Sequence, residues 1–406
     1  MSSHPPSRFL DKTSPPHIGT LVALTGMSAL SMNVFLPSLP GMATYFDTTA
    51  AVIGLSVGVY LFVNALLQLF VGPISDNLGR RRVILTGIAI YLVATLGCIF
   101  STNVTVFLIF RMMQATVAVA MVLSRAVVRD VTPPDLAGAR IAYVTMGMSI
   151  IPMIGPAIGG YLEQHFGWQA NFWLLFVIGL GTFALAWADL GETARPSEIT
   201  LAQQFGEIPE LLKSPRFWGY SVAVSMSSGA FFAYLGGAPF AAKEIFGLNP
   251  QELGLAFAAP GVGYFFGNYI SGRFSARFGI NRMVLWGLML SMSAMIVSLG
   301  LSMGGLQTTF TFFFAMVPVG IGNGMTIPNG VSGQLSVRPH LAGTASGLSG
   351  AMMLSGGAGL SALAGYFQSG AQSDLPLVLI MTLSLALGLA VIPLVIRRSA
   401  RLGGLS

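Results

Sequence analysis

Arg111 lies inside the apolar run from about 105 to 127. A guanidinium in hydrocarbon costs at least about 2.5 kcal/mol on insertion scales and normally faces a wet cavity or a partner. Two kinds of chemistry are open to it: holding an anionic or zwitterionic molecule, or releasing a carboxyl that moves a proton. With Asn33 and Gln114 it is expected to form the polar floor of a cavity. A buried carboxyl is the usual proton carrier, because desolvation favours its neutral form. No Asp or Glu falls in the middle of any apolar run, so the proton-coupling candidates stand at run ends: Asp47, Glu163 with His165 two residues on, and Asp130. Further lining is expected from polar and aromatic residues at odds with a lipid-facing surface: Tyr60, Asn64, Tyr143, Tyr234, Tyr264, Asn268, Asn323 and Asn329. Each could equally serve as a helix-to-helix hydrogen-bonding residue.

Other chemistries find no support. There is no His-Glu-x-x-His helix, phosphate loop or Rossmann glycine pattern, and the four histidines are unclustered. The single cysteine, Cys98, offers neither a disulfide nor a thiolate metal site. An enzyme is not expected, and no cofactor or metal is implied.

The elements that must position these residues are spans. Hydrophobic residues make up 54% of the chain and charged residues only 8%, against roughly a quarter charged in an ordinary soluble domain. Apolar windows long enough to cross about 30 Å of hydrocarbon fall near 18–40, 51–71, 83–101, 105–127, 140–162 and 171–190. A second six follow near 217–238, 253–272, 283–303, 308–330, 341–366 and 375–396. The 50 glycines suit helices that associate by close backbone approach. Pro152, Pro260, Pro318 and Pro328 mark bends.

With the N-terminus inside, Arg8, Lys12, Arg80 to Arg82, Arg125 to Arg140, Arg195 to Arg216, Arg273 to Arg282, Arg338 and Arg397 to Arg401 all fall on the cytoplasmic side, as the positive-inside rule requires. The net charge of +6 is then a topology signal and not a sign of nucleic-acid binding. The segment 191–215, with Glu192, Glu198, Glu207 and Glu210, reads as a cytoplasmic linker that holds a short surface helix around 201–212. The expected organisation is a tail (1–17), a six-helix bundle (18–190), the linker (191–215), a second bundle (216–396) and a tail (397–406).

One loop occurs twice. Gly72-Pro-Ile-Ser-Asp76-Asn-Leu-Gly79-Arg80-Arg81-Arg82 follows span 2, and Gly272-Arg-Phe-Ser-Ala-Arg277-Phe-Gly279-Ile-Asn-Arg282 follows span 8. Duplicated six-helix units are expected of transporters that bind at the interface between halves. The first copy resembles the G-x-L-x-D-R-x-G-R-R/K loop of the major facilitator superfamily. That resemblance implies an all-α membrane fold of twelve transmembrane helices in two pseudo-symmetric six-helix bundles. It also implies a conformational latch at Gly72, Asp76, Gly79, Arg80 and Arg81, in which Asp76 meets the positive end of span 11 and the arginines add pairs to Asp130.

Gly155-Pro156-Ala-Ile-Gly159-Gly160 resembles the G-P-x-x-G-G packing signature of the drug antiporter group. Arg111-Met-Met-Gln114 resembles its R-x-x-Q-G motif, with Ala115 in place of glycine. Leu36-Pro37-Ser-Leu39-Pro40 and Arg125-Ala-Val-Val-Arg129-Asp130 resemble the bicyclomycin-resistance (Bcr/CflA) branch, which includes phenicol exporters. The carboxylate that such relatives carry in span 1 is replaced by Asn33 or Thr25. The expected function is therefore proton-coupled export of a small organic compound across the inner membrane by a monomer. The alternative is a proton-independent uniporter or exchanger that binds its substrate through Arg111.

Overall fold

Glycine ends two helices in the same way. In the computed structural model, which describes residues 8–132, 144, 151, 153–194, 208–338 and 341–401, span 2 (Ala50–Leu78) stops at Gly79 and span 8 stops at Gly279. Both glycines have positive φ, 93° and 81°, with extended ψ, a region that side chains with a Cβ rarely enter. Each donates its N–H to the serine four residues back, Ser75 or Ser275. The duplication read from the residues is thus a duplication of backbone conformation.

Proline punctuates the remaining spans. A proline removes the hydrogen bond to the carbonyl four residues earlier and clashes with it. Pro37 stands four residues after Asn33, where the first helix of span 1 (Ile18–Asn33) ends. Pro260 stands four after Ala256, the end of Pro250–Ala256, before span 8 resumes as Ala258–Phe278. Pro318 stands four after Phe314, the end of Thr309–Phe314, before span 10 resumes as Met316–Val337. Pro239, Pro328 and Pro393 lie inside continuous helices.

Span 3 is Arg80–Ile99, span 6 Gln169–Asp189, span 7 Pro215–Glu244, span 9 Ile280–Met303, span 11 Ala342–Gln368 and span 12 Leu375–Arg401. Span 4 runs as Val104–Gln114, a tight turn over Ala115–Val117, and Ala118–Val131. Span 5 is helical over 153–166. Among the described residues nine helices are long and apolar enough to cross a membrane. Spans 5, 7 and 8 complete the all-α architecture of twelve. The expected lining residue Tyr143, the bend at Pro152 and the linker acids Glu198 and Glu207 lie outside the described residues.

The halves meet along two seams made of small residues. Spans 2 and 11 pack Gly58 against the Ala358 carbonyl and Ala362, and Gly54 against Gly365. Spans 5 and 8 pack Gly160 against the Pro250 carbonyl and Gly254 against the Pro156 carbonyl. With lipid on all sides, such backbone approach supplies association that hydrophobic expulsion cannot. The second seam lies toward the face opposite the arginine-rich loops. There the short helix Leu39–Tyr45 at the end of span 1 also touches span 7.

On the arginine-rich face a single carboxylate ties the N-terminal segment down. Asp189, fully buried, accepts from the N–H of Leu10 (2.8 Å), the N–H of His17 (2.8 Å) and the Thr20 hydroxyl (2.6 Å). Hydrogen bonds to a charged group contribute about 1.5–3 kcal/mol each in favourable cases, and orphaned buried donors add a penalty. Asp189→Ala is therefore expected to lower unfolding free energy by about 3 kcal/mol, measured as an earlier thermal transition of the purified protein.

Candidate functional site

Arg111 is 1% exposed and sits among spans 1, 2, 3 and 4. Its Nε donates to the Ser56 carbonyl at 3.2 Å, and one Nη donates to the Ser31 carbonyl at 2.9 Å. The other Nη donates to Gln114 Oε1 at 2.7 Å. Gln114 passes the chain on, donating through Nε2 to Thr95 Oγ1 at 2.8 Å, and Thr95 donates to the Tyr91 carbonyl. The guanidinium carbon lies 4.0 Å from the Tyr60 ring centre and 4.3 Å from that of Phe35. Among the described residues no carboxylate pairs with it. Carbonyl dipoles, an amide oxygen and two ring faces meet the charge instead, and desolvated ring contacts of this kind are worth about 2 kcal/mol.

Of the expected polar floor, the structure brings Gln114 to Arg111 but not Asn33. The Asn33 amide turns back onto the Ala29 carbonyl of its own helix at 2.7 Å, close to Gly155 of span 5. A buried amide finds its nearest acceptor, and one turn back along the helix is nearer than span 4. Tyr60 belongs to the Arg111 cage through its ring. Of the other expected lining residues, Asn64 and Asn268 bond within their own helices, while Asn323 and Asn329 tie neighbouring helices together. Asn64 accepts from Gln68, Asn268 donates to the Tyr264 carbonyl, Asn323 accepts from Ser227 of span 7, and Asn329 donates to Ser271 of span 8. Tyr234 is fully buried among Phe231, Phe257, Phe312 and Phe313, and its hydroxyl finds no partner among the described residues.

The loop after span 2 carries an ionic chain. Asp76 pairs with Arg80 at 2.5 Å, and Arg80 Nε reaches Asp130 at 3.1 Å. Glu192 caps the start of span 3 by accepting from the Arg80 N–H at 2.7 Å. A Cβ at Gly79 would also press on the Glu192 carboxylate, the movable end of a side chain, so the positive φ is what requires glycine there. Arg81 departs from expectation. Rather than pairing with Asp130, it donates to the Leu190 and Trp187 carbonyls and lies over the Trp187 ring at 5.0 Å, because its side chain leaves span 3 on the face that span 6 covers.

Residues 21–362 match the family model described as Major Facilitator Superfamily. The chain belongs to the major facilitator superfamily. An uncharacterized MFS-type transporter YdgK of Bacillus subtilis (strain 168) is 30% identical over 91% of this chain and 93% of its own. A chloramphenicol resistance protein of Pseudomonas aeruginosa is 29% identical over 78% of this chain and 76% of its own. Multidrug resistance protein D of Escherichia coli (strain K12) is 28% identical over 93% and 95%. The crystal structure of a bacterial homolog of the human lysosomal transporter Spinster, inward-facing and occupied, superposes with a TM-score of 0.71 at 16% identity, covering 94% of this chain and 96% of that one. This last likeness shows the fold.

Within that superfamily fold, one residue was read from sequence as a topology charge and as part of the motif closing span 4, without a role at the site. Arg125, on the inner half of span 4, is exposed and yet within electrostatic reach of Tyr264 on span 8, across the line between halves. Asn268 lies one turn further along span 8. The available signal was weak: an arginine inside an apolar window, the same signal that drew attention to Arg111. On the opposite face a cavity of about 280 Å³ lies between the end of span 1 and the end of span 7, with Asp47, Lys243 and Glu244 in its wall.

Proposed function

We propose that this chain exports small amphipathic organic compounds across a bacterial inner membrane by alternating access, with its arginine-rich loops in the cytosol. The observation that carries the reading is the likeness, over most of the chain, to relatives named for chloramphenicol and multidrug resistance. The halves 18–190 and 216–396 rock about the small-residue seams, with 191–215 as their linker. Substrate meets Arg125, Tyr264 and Asn268 between the halves, while the Arg111 cage holds spans 1 to 4 in register beneath it. Arg125→Ala is then expected to weaken transport about fivefold, the loss of one exposed cation contact of about 1 kcal/mol, with the melting temperature unchanged.

Protons drive the cycle through Asp47, Asp130 or Glu163. Asp47 is exposed and Asp130 is ion-paired, whereas Glu163 has a buried carboxylate oxygen with no hydrogen-bond donor among the described residues. A second reading, a proton-independent carrier of anionic or zwitterionic metabolites, is favoured by the lack of a carboxylate partner for Arg111 among the described residues. Everted vesicles separate the two. Collapse of the pH gradient abolishes accumulation in the first case and leaves it unchanged in the second. A growth screen of an overexpressing strain against phenicols, bicyclomycin and other toxic compounds identifies the substrate class.

A further inference from the structure

Glu163 stands one turn beyond Gly160, where spans 5 and 8 touch backbone to backbone. Its carboxylate is pressed against the chain of span 1: a Cβ at Gly41 would lie 2.3 Å from Oε1. The other oxygen, Oε2, is buried and accepts no hydrogen bond among the described residues. The Ser38 hydroxyl oxygen accepts from Asn171 Nδ2 at 2.8 Å, and its own O–H is a neighbour of the carboxyl group. From the other half the facing charge is Lys243, exposed at the end of span 7. The remaining titratable groups nearby are otherwise engaged. His165 on the same helix is exposed and lies against Tyr161, Glu252 closes the capping box of span 8, and Asp47 and Glu244 line the neighbouring cavity with Lys243.

A carboxylate oxygen that is buried without a donor is an unfavourable place for charge, and a proton on it removes that penalty. We infer that Glu163 is the proton-binding group of the outer seam, protonated while spans 5 and 8 are zipped together and ionised once they part. By linkage, the shut seam binds one more proton than the open one, so acid on the outer face favours closure and alkali favours opening. Proton binding from outside would thereby drive the return from outward-open to inward-open, the step a drug/proton exchanger must reserve for protons. The inference rests on the alternating-access reading proposed above.

Two pairs of spin labels test it on the full chain in lipid nanodiscs, with distances measured between pH 4.5 and 8.5. Thr44→Cys with Glu244→Cys spans the outer seam, and Leu78→Cys with Arg277→Cys spans the arginine-rich face; native Cys98 is buried and unlabelled. Acidification is expected to shorten the outer distance and lengthen the inner one, and Glu163→Gln is expected to hold the outer distance short at every pH. Glu163→Asp, which withdraws the carboxyl from Gly41, keeps the titration but moves its midpoint down. If Glu163→Gln titrates like the parent while the two distances still change in opposite senses, the assignment to Glu163 is wrong and alternating access survives. If neither distance changes under any condition, both readings fall.

Discussion

Arg111→Ala is expected to unfold early and to transport nothing. The substitution leaves the Ser31 and Ser56 carbonyls and Gln114 Oε1 without their shared donor and opens a gap between the Phe35 and Tyr60 rings. Losing a buried, hydrogen-bonded arginine costs about 3–5 kcal/mol, a large fraction of the 5–15 kcal/mol by which a folded protein is held together. This changes the expectation that Arg111 forms the polar floor of an open cavity. It is instead the point at which four spans are tied. Arg111→Lys separates packing from charge: it keeps the cation, but one ammonium cannot reproduce a planar fork that donates to three acceptors. It is expected to melt between the parent and the alanine variant, with transport below about a tenth of the parent. Thermal unfolding by intrinsic fluorescence and substrate efflux from the same preparation check both; a parent-like melting curve for Arg111→Ala would show that the cage is not structural.

Gly160→Ala is expected to abolish transport at a nearly normal melting temperature. A Cβ at Gly160 would lie 2.1 Å from the Pro250 carbonyl, and one at Gly254 would lie 2.3 Å from the Pro156 carbonyl. Neither contact can relax by turning a side chain, because backbone meets backbone across the seam between halves. The methyl therefore wedges the seam, and the cycle stalls with it parted. Gly159→Ala, one residue away, is the contrast: its Cβ would meet the Val34 carbonyl within the same half, where overpacking destabilises by about 1–3 kcal/mol or more. Neighbouring glycines should thus give opposite phenotypes, with lost transport and kept stability at Gly160, and lost stability at Gly159. The measurements are efflux and melting midpoint for the two single variants, with Gly254→Ala as the reciprocal of Gly160→Ala. Equal loss of stability at all three positions would remove the distinction between seam and bundle.

Much of this molecule was legible from the residues alone, and for a local reason. Whether a stretch crosses lipid depends on its own hydropathy, so the spans could be counted from the chain. Where a helix breaks depends on a proline four residues on, as at Asn33, Ala256 and Phe314. Where one ends in a left-handed residue depends on a glycine, as at Gly79 and Gly279. The packing role expected of Gly155, Pro156, Gly159 and Gly160 also has a short-range basis, since only small residues let backbones approach.

Partnership was a different matter. Arg111 takes its acceptors from 80 and 55 residues away, and Asp189 its donors from 169 to 179 residues away. Periodicity carries no record of which helix a given face will meet. Asn33 and Gln114 looked equivalent in the sequence, yet one turned onto its own helix and the other joined the guanidinium. Arg125 looked like a positive-inside charge at the start of a branch motif until the fold brought it within electrostatic reach of Tyr264. Glu163 looked like a carboxylate at a span end until the fold set it against Gly41 of span 1 and buried one of its oxygens. Local chemistry along the chain determined the helices and their breaks. The docking of helix on helix decided which polar groups are satisfied, which are stranded, and so which can bind.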